Sequence, residues 1–356
     1  MKGKKVLIMA GGTGGHVFPA LAIAQKLKEQ GATILWLGSP GRMEEQLVPK
    51  YGFDIRYIKV KGVRRNGLAT LLKAPFMVAK AIVQAGRIIR DFKPDVVLGM
   101  GGYASGPGGF AAFLRGIPLV LHEQNAAAGL TNKLLFKIAR KVMLGFPGAF
   151  SGDKVSVVGN PVRESILAIH KLNRDFNHKP LRISIIGGSL GARALNEMLP
   201  RALSGFKNGE ISVTHQCGRG NSQSVRELYR DAQFEIKVSD FIDDMDKLYK
   251  NTDLIVCRAG ALTVAEVCCA KIPAIFVPLP SAVDDHQTKN AMFLKQEGAA
   301  LICPQAQLDA DSLYQQIKKL SGNDLKLKEM SDNCARVAIT DATDRAVEII
   351  DSVIRD

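Results

Sequence analysis

The sequence lacks the cysteine arrangements that mark a disulfide-bonded or metal-binding protein. Its 356 residues contain six scattered cysteines, with no C-x-x-C pair and no Cys/His spacing typical of a metal site. The opening residues MKGKK lead straight into a short apolar strand, without the apolar core and cleavage site of a secretory signal. We therefore expect a protein that is not secreted and whose cysteines are buried, reduced thiols.

Long apolar runs are also scarce. Residues 96–114 carry no charge, and this stretch just reaches the length of a membrane span. It contains six glycines and a proline, so a strand, a glycine-rich loop and a helix are expected there instead. No membrane-spanning helix is predicted.

Acidic residues are few in the first half of the chain. Residues 1–160 hold 23 Lys/Arg against 8 Asp/Glu, whereas residues 161–356 hold 25 against 26, so the first half carries the whole net charge of +14. Such asymmetry indicates a polyanionic partner, either nucleic acid or an anionic membrane. Aromatic residues make up only 6% of the chain, too few for base-stacking platforms, so the membrane is favoured.

Three basic residues recur every seven positions within residues 68–89, namely Lys73, Lys80 and Arg87. On a helix they share one face beside a broad apolar face, which is typical of a peripheral helix lying on anionic lipid. An ordinary amphipathic helix of the domain is the alternative.

Strands and helical stretches alternate almost throughout, which predicts parallel sheets with helices on both faces. One set of strands runs from residues 6–10 to 154–162 and a second from 181–188 to 299–304, and each set opens with a strand, a Gly-Gly loop and a helix. We predict an α/β fold of two doubly wound, Rossmann-like domains separated by a cleft. The domains are residues 1–162 and 163–339, and a terminal helix at 340–356 is expected to pack back onto the first.

The loop GGTGGH, residues 11–16, joins the first strand to a helix. Its free amides and the helix dipole suit phosphate or another anion. The dinucleotide fingerprint fails here, because Val17 stands in place of the third glycine and the second strand ends without an acid. We therefore predict that this loop binds no nicotinamide cofactor; a merely tight turn is the alternative.

The loop GGSLG, residues 187–191, matches the nucleophile elbow G-x-S-x-G between a strand and a helix. Ser189 would then be the nucleophile, with His215 or His286 downstream. A phosphate-cradling loop is the competing interpretation, and the pattern leaves both open.

Three further stretches are candidates for chemistry at strand ends. HEQN, residues 122–125, and the glycine-rich residues 100–109 are expected at the same rim as the first loop. Glu266 would accept hydrogen bonds from a sugar diol or would only complement a helix dipole. The Asp244-Met245-Asp246 triplet is either a metal site or, as we favour, a solvated helix start.

Eight ordered segments resemble one known family. They are GGTGGHVFPALAIA, VVLGMGGYASGPG, VLHEQN, VVGNPVR, GGSLGAR, FIDDM, RAGALTVAE and DDHQTKNA. Over roughly residues 5–350 the chain is similar to the MurG family, the bacterial UDP-N-acetylglucosamine–N-acetylmuramyl-(pentapeptide) pyrophosphoryl-undecaprenol N-acetylglucosamine transferases. The resemblance implies a GT-B fold, inversion at the anomeric carbon, and neither a cofactor nor an obligatory metal.

The resemblance also implies a substrate pair and a location. N-Acetylglucosamine (GlcNAc) would pass from UDP-GlcNAc to the C4 hydroxyl of lipid I, giving lipid II for peptidoglycan synthesis, at the cytoplasmic face of the inner membrane. No nucleic acid is expected, and cell-wall or division proteins are further candidate partners. A serine hydrolase using Ser189 and a non-catalytic nucleotide-sugar-binding protein remain the alternatives.

The site residues carried over from the family are Thr13, Gly14, Gly15, Asn125, Arg163, Ser189, Ile242, Ala261, Leu262, Thr263, Val264, Ala265, Glu266 and Gln287. In the family, uracil lies near Arg163 and the backbone of Ile242, ribose on Glu266, and the diphosphate on the GGSLG loop. The GlcNAc hydroxyls face the side chains of Gln287 and Asn125.

Deprotonation of the attacking hydroxyl needs a base. An imidazole, with an ordinary pKa of about 6.5, suits that task. His16 is therefore the expected general base, with Glu123 in reserve.

Overall fold

The computed structural model describes residues 1–60, 67–188, 190–280, 282 and 285–355, excepting the side chains of 67–74. This part of the chain divides into two compact units. Unit 1 comprises residues 1–163 and 341–356, and unit 2 comprises residues 164–340. Each unit is built on one parallel sheet, so the predicted α/β fold is confirmed.

Unit 1 contains a seven-stranded sheet in the order β3-β2-β1-β4-β5-β6-β7. The strands are β1 (Lys5–Met9), β2 (Thr33–Gly38), β3 (Asp54–Tyr57), β4 (Val96–Gly99), β5 (Leu119–Glu123), β6 (Lys141–Leu144) and β7 (Val155–Val157). The helices between them are α1 (Gly14–Glu29), α2 (Met43–Lys50), α3 (Gly67–Phe92), α4 (Ser105–Leu114) and α5 (Leu130–Phe136). Strand order reverses at the β1–β4 pair, so the loops that follow these two strands lie side by side.

Unit 2 contains a six-stranded sheet in the order β10-β9-β8-β11-β12-β13. Its strands are β8 (Leu181–Ile186), β9 (Ile211–Gln216), β10 (Glu235–Ser239), β11 (Leu254–Cys257), β12 (Ala274–Phe276) and β13 (Ala300–Ile302). Its helices are α6 (Glu164–His170), α7 (Arg193–Leu203), α8 (Ser222–Leu228), α9 (Met245–Lys250), α10 (Ala261–Cys269), α11 (His286–Gln296), α12 (Ala310–Ser321) and α13 (Asp324–Val337).

The last helix, α14 (Ala342–Arg355), belongs to unit 1 and packs against α1. Its apolar residues recur at helical spacing, and Ala346, Val347, Ile350 and Val353 join the core that contains β1. Strand β1 is itself wholly apolar after its first residue and fully buried, as expected for a central parallel strand covered on both faces. All six cysteines are buried, as predicted.

Two strands of unit 1 are shorter than the apolar patterns suggested. The pattern at residues 154–162 yields only Val155–Val157, because Gly159 adopts a left-handed conformation (φ 86°) and turns the chain away. The alternating apolar residues of 55–60, IRYIKV, suggest a strand to residue 60, but β3 ends at Tyr57, at the exposed edge of the sheet. In the described part of the chain, every helix is too short or too polar to cross a membrane.

Candidate functional site

Three loops of unit 1 meet at the carboxyl ends of β1, β4 and β5. A Cβ atom on Gly102 (φ 90°) would lie 2.5 Å from the carbonyl oxygen of Gly11, so two glycine-rich loops touch backbone to backbone. A Cβ atom on Gly101 (φ 101°) would lie 2.9 Å from the ring of His16. His16 in turn contacts Gln124 of the HEQN segment. The prediction that these three loops share one rim is confirmed.

His16 lies in the first turn of α1 and is half-buried. Its Nδ1 is 3.0 Å from Oε1 of Gln124. Thr13 is the exposed N-cap of the helix, and its carbonyl oxygen accepts the amides of His16 and Val17. The Thr13 side chain makes no cap hydrogen bond, and the predicted residues Thr13, Gly14 and Gly15 are arranged around this helix end.

An internal carboxylate occupies the other side of the N-terminal loop. Glu44 is fully buried; its Oε2 accepts the amide of Gly12 at 2.9 Å and its Oε1 accepts the amide of Ser39 at 3.1 Å. A bound pyrophosphate would need such amides, and here a side chain already uses them. That the loop binds no nicotinamide cofactor stays a prediction. The sequence carries no signal for this role of Glu44, because an acid in the first turn of a helix such as α2 is typically one that only complements the helix dipole.

The HEQN segment is more buried than its polar residues suggested, since His122, Glu123 and Gln124 are at most 2% exposed. The Glu123 carboxylate receives four hydrogen bonds: two from the backbone and side-chain amides of Asn125, one from the amide of Gly129 and one from Asn132. Asn125 is thereby held in place at the rim.

His122 bonds to neither Glu123 oxygen among the described contacts. Its Nε2 lies 3.0 Å from the carbonyl oxygen of Gly159. Burial lowers the pKa of His122 to about 4, so its imidazole is neutral near pH 7.

In unit 2 the GGSLG loop follows β8 and is anchored by the end of β9. Gln216 Oε1 accepts the amide of Gly188 at 2.9 Å, and Gln216 Nε2 donates back to its carbonyl oxygen at 3.0 Å. Gly191 packs against the carbonyl of Cys217 so closely that no Cβ would fit. Ser189 lies outside the described residues. No signal in the sequence marks this role of Gln216, because its two hydrogen bonds to Gly188 join the ends of two strands that are distant in the chain.

One of the two histidines that a hydrolase could use is engaged elsewhere. His215 is fully buried, with Nδ1 3.1 Å from the Tyr229 hydroxyl and Nε2 3.1 Å from Oδ1 of Asn196. Burial lowers the pKa of His215 to about 4. Both ring nitrogens are therefore committed to the core, which argues against its membership of a catalytic triad.

The remaining predicted donor residues of unit 2 follow β10, β11 and β12. Ala261–Glu266 form the first turns of α10, and Glu266, 6% exposed, accepts the hydroxyl of Tyr249 at 3.2 Å. Gln287 in α11 accepts the amide of Leu279 through Oε1 at 3.0 Å, and Ile242 is half-buried in the loop after β10.

The other predicted site residues fall elsewhere. Arg163 lies in unit 1, its guanidinium 5.6 Å from the ring centre of Phe18. Asp244 is the N-cap of α9, where its carboxylate accepts the amide of Lys247 at 3.0 Å. That contact fits the predicted helix start.

The outer face of α3 combines basic and apolar side chains. Lys80 and Arg87 are exposed, as are Phe76 (81%) and Val83 (55%). Helix α4 packs beside α3 and exposes Phe113 and Leu114. The Lys73 side chain lies outside the described residues. These exposed residues of α3 and α4 are called the α3–α4 face below.

Comparison with known proteins gives full-length matches. The glycosyltransferase family 28 N-terminal domain matches residues 6–144 and the corresponding C-terminal domain matches residues 182–346. Two similar curated proteins are each named UDP-N-acetylglucosamine–N-acetylmuramyl-(pentapeptide) pyrophosphoryl-undecaprenol N-acetylglucosamine transferase. That of Aeromonas hydrophila subsp. hydrophila is 53% identical over 346 residues, 97% of this chain and 96% of its own. That of Tolumonas auensis is 52% identical over 348 residues, 97% and 98% of the two chains.

A solved structure gives the same result. The crystal structure of Acinetobacter baumannii MurG matches with a TM-score of 0.83 at 44% identity, and the match covers 98% of this chain and 99% of that one.

Proposed function

Because the chain belongs to glycosyltransferase family 28, with full-length relatives among the lipid-linked N-acetylglucosamine transferases, we propose a division of that reaction among its residues. The protein is a UDP-GlcNAc-dependent hexosyltransferase that passes GlcNAc to lipid I and forms lipid II. The observation that supports this assignment of roles is that three loops of unit 1 meet around His16.

Unit 2 is proposed to hold the nucleotide sugar. Negative charge grows on the diphosphate as the glycosidic bond breaks, and fixed backbone amides stabilise it without reorganisation. The GGSLG loop, clamped by Gln216, supplies such amides. Glu266 is proposed to hold the ribose diol and Ile242 the uracil through its backbone. Gln287, whose Oε1 is already engaged, presents its amide nitrogen to the sugar.

Unit 1 is proposed to hold the lipid-linked acceptor, with His16 as general base. Four donated hydrogen bonds occupy the carboxylate oxygens of Glu123. Glu123 is therefore assigned to holding Asn125 and the HEQN turn, while His16 takes the proton. The residues Thr13, Gly14 and Gly15 complete the proposed contacts of this unit, together with Arg163, proposed to lie near the uracil, and Asn125, proposed to face the GlcNAc hydroxyls.

The α3–α4 face is proposed to dock on the anionic cytoplasmic leaflet of the inner membrane, where the acceptor resides. Exposed aromatic and aliphatic side chains insert at the interface while Lys80 and Arg87 meet lipid headgroups. The same role stays a prediction from sequence for Lys73. Proteins of cell-wall synthesis or division remain predicted partners.

A label-transfer assay tests the function. The full chain is incubated with radiolabelled UDP-GlcNAc and a short-chain lipid I analogue, with and without EDTA. We expect label in the lipid product under both conditions, because the proposed charge stabilisation uses protein amides. Absence of transfer, or transfer abolished by EDTA, would contradict the proposal.

A further inference from the structure

Gln124 is oriented by an atom that only accepts hydrogen bonds. Its Nε2 lies 3.2 Å from the backbone carbonyl oxygen of His122, and a carbonyl oxygen needs a donor. The amide nitrogen must therefore face His122, which turns Oε1 toward Nδ1 of His16 at 3.0 Å. Since an amide oxygen only accepts, Nδ1 of His16 carries the hydrogen.

A second carbonyl fixes the other imidazole in a consistent way. Nε2 of His122 lies 3.0 Å from the carbonyl oxygen of Gly159, so this nitrogen carries the hydrogen of the neutral ring. Nδ1 of His122 then carries no hydrogen but a lone pair, and it accepts a hydrogen bond from Nε2 of Gln124 at 3.1 Å. The two backbone carbonyls thus determine which nitrogen carries the hydrogen in each hydrogen bond that links His122, Gln124 and His16.

The environment keeps this arrangement in place. Gln124 is 1% exposed, and its backbone carbonyl accepts the side-chain amide of Asn160 at 3.0 Å. The ring of His16 is backed by Gly101, where a Cβ atom would lie 2.9 Å away. A flip of the Gln124 amide would set its oxygen against the His122 carbonyl, leaving both acceptors without a hydrogen.

We propose that Gln124 is a positioning residue that holds His16 as its Nδ1–H tautomer, so that Nε2 presents the lone pair that accepts the proton. The second clause rests on the proposed function. The hydroxyl proton passes to Nε2, the acceptor oxygen bonds to the anomeric carbon, and the bond to UDP breaks with its electrons on the diphosphate. The resulting imidazolium strengthens the Nδ1–H bond to Gln124, because a charged donor makes a stronger hydrogen bond.

The test is nitrogen NMR of the full chain with ¹⁵N-labelled histidine rings, which reads the tautomer directly. His16→Asn identifies the His16 signals by their loss. In the unsubstituted protein we expect a neutral His16 protonated on Nδ1. In Gln124→Met, which lacks the accepting oxygen, we expect a mixture of tautomers and roughly tenfold lower kcat, with little change in the KM for UDP-GlcNAc.

Two further variants make the test specific. Gln124→Glu keeps an oxygen that accepts from Nδ1 of His16, so the tautomer should persist. Its second oxygen then faces the His122 carbonyl without a hydrogen to donate, so this variant should be less stable than the unsubstituted protein. Asn196→Leu deletes the buried amide that contacts His215 in unit 2 and should leave the His16 signals unchanged.

The outcomes separate the two proposals. A neutral His16 protonated on Nε2, or an unchanged tautomer in Gln124→Met, overturns the role of Gln124 whatever the turnover. If the tautomers are as expected but His16→Asn keeps full turnover, His16 is not the general base. Gln124 would then still be the residue that sets the tautomer of His16. If Gln124→Met does not fold, the spectra of the unsubstituted protein and Gln124→Glu still decide the point.

Discussion

Replacement of Glu44 by alanine tests whether the N-terminal loop is built around an internal carboxylate. The change removes the acceptor of two backbone amides, those of Gly12 and Ser39, in a fully buried position. A hydrogen bond to a charged group contributes about 1.5–3 kcal/mol. We expect the free energy of unfolding of unit 1 to fall by about 3–6 kcal/mol, and by less in Glu44→Gln, which keeps an acceptor.

The chain provides a local reporter for this measurement. Trp36 is its single tryptophan, lies fully buried in β2, and donates its indole N–H to the carbonyl oxygen of Ala10 at 2.8 Å, directly before the glycine-rich loop. Urea unfolding followed by tryptophan fluorescence therefore reports unit 1. The separate signal matters because two units need not unfold in one transition.

Glu45 provides the matched control, because it neighbours Glu44 in α2, is exposed, and accepts a single amide, that of Gly41. Glu45→Ala should cost about 1 kcal/mol or less. Equal losses for the two alanine variants would refute the reasoning, since buried and exposed carboxylates would then contribute alike.

Three other predictions concern the ring contact, the buried imidazole and the membrane face. Gly101→Ala places a Cβ atom 2.9 Å from the ring of His16 at a residue with φ 101°, so kcat should fall roughly tenfold or more. Calorimetry should show that UDP-GlcNAc still binds. An unchanged kcat would contradict the importance of this contact. Burial lowers the pKa of His122 to about 4, so as the pH falls the unfolded chain binds a proton at this residue before the folded chain does. The free energy of unfolding of unit 1 should therefore decrease by up to about 3 kcal/mol between about pH 6.5 and pH 4. His122→Asn should flatten this dependence in the tryptophan-monitored unfolding curves, and an equally steep curve would show that other groups cause it. The double variant Lys80→Glu, Arg87→Glu should lose about 1 kcal/mol or more of vesicle-binding free energy per residue, measured by sedimentation with anionic vesicles. The control Arg230→Glu, Lys319→Glu, at two exposed positions of unit 2, should bind as the unsubstituted protein does. Equal binding by both double variants would show that another surface docks.

Much of the fold could be predicted from local pattern. Strands β2 and β6 coincide with the apolar runs at residues 33–38 and 141–144, because buried parallel strands are continuous hydrophobic segments between turn residues. The meeting of the loops after β1, β4 and β5 also follows from sequence, since parallel strands place their carboxyl ends at one edge.

The contacts that organise the site could not be predicted in the same way. Glu44 is buried because Gly11 and Gly38, in two other segments, lack the side chains that would collide with it. Gln124 stands out in the sequence only as part of HEQN, and its role depends on the positions of the carbonyl oxygens of residues 122 and 159. Such roles arise from distances between segments, and a single sequence carries no signal for them.

The central claim is that His16 accepts the proton of the attacking hydroxyl while unit 2 holds the donor. It is tested most directly by comparing label transfer and UDP-GlcNAc affinity in His16→Asn with those of the unsubstituted protein. The account predicts kcat lower by a factor of about 100 or more and a dissociation constant for UDP-GlcNAc changed by less than about twofold. Turnover close to that of the unsubstituted protein would contradict it.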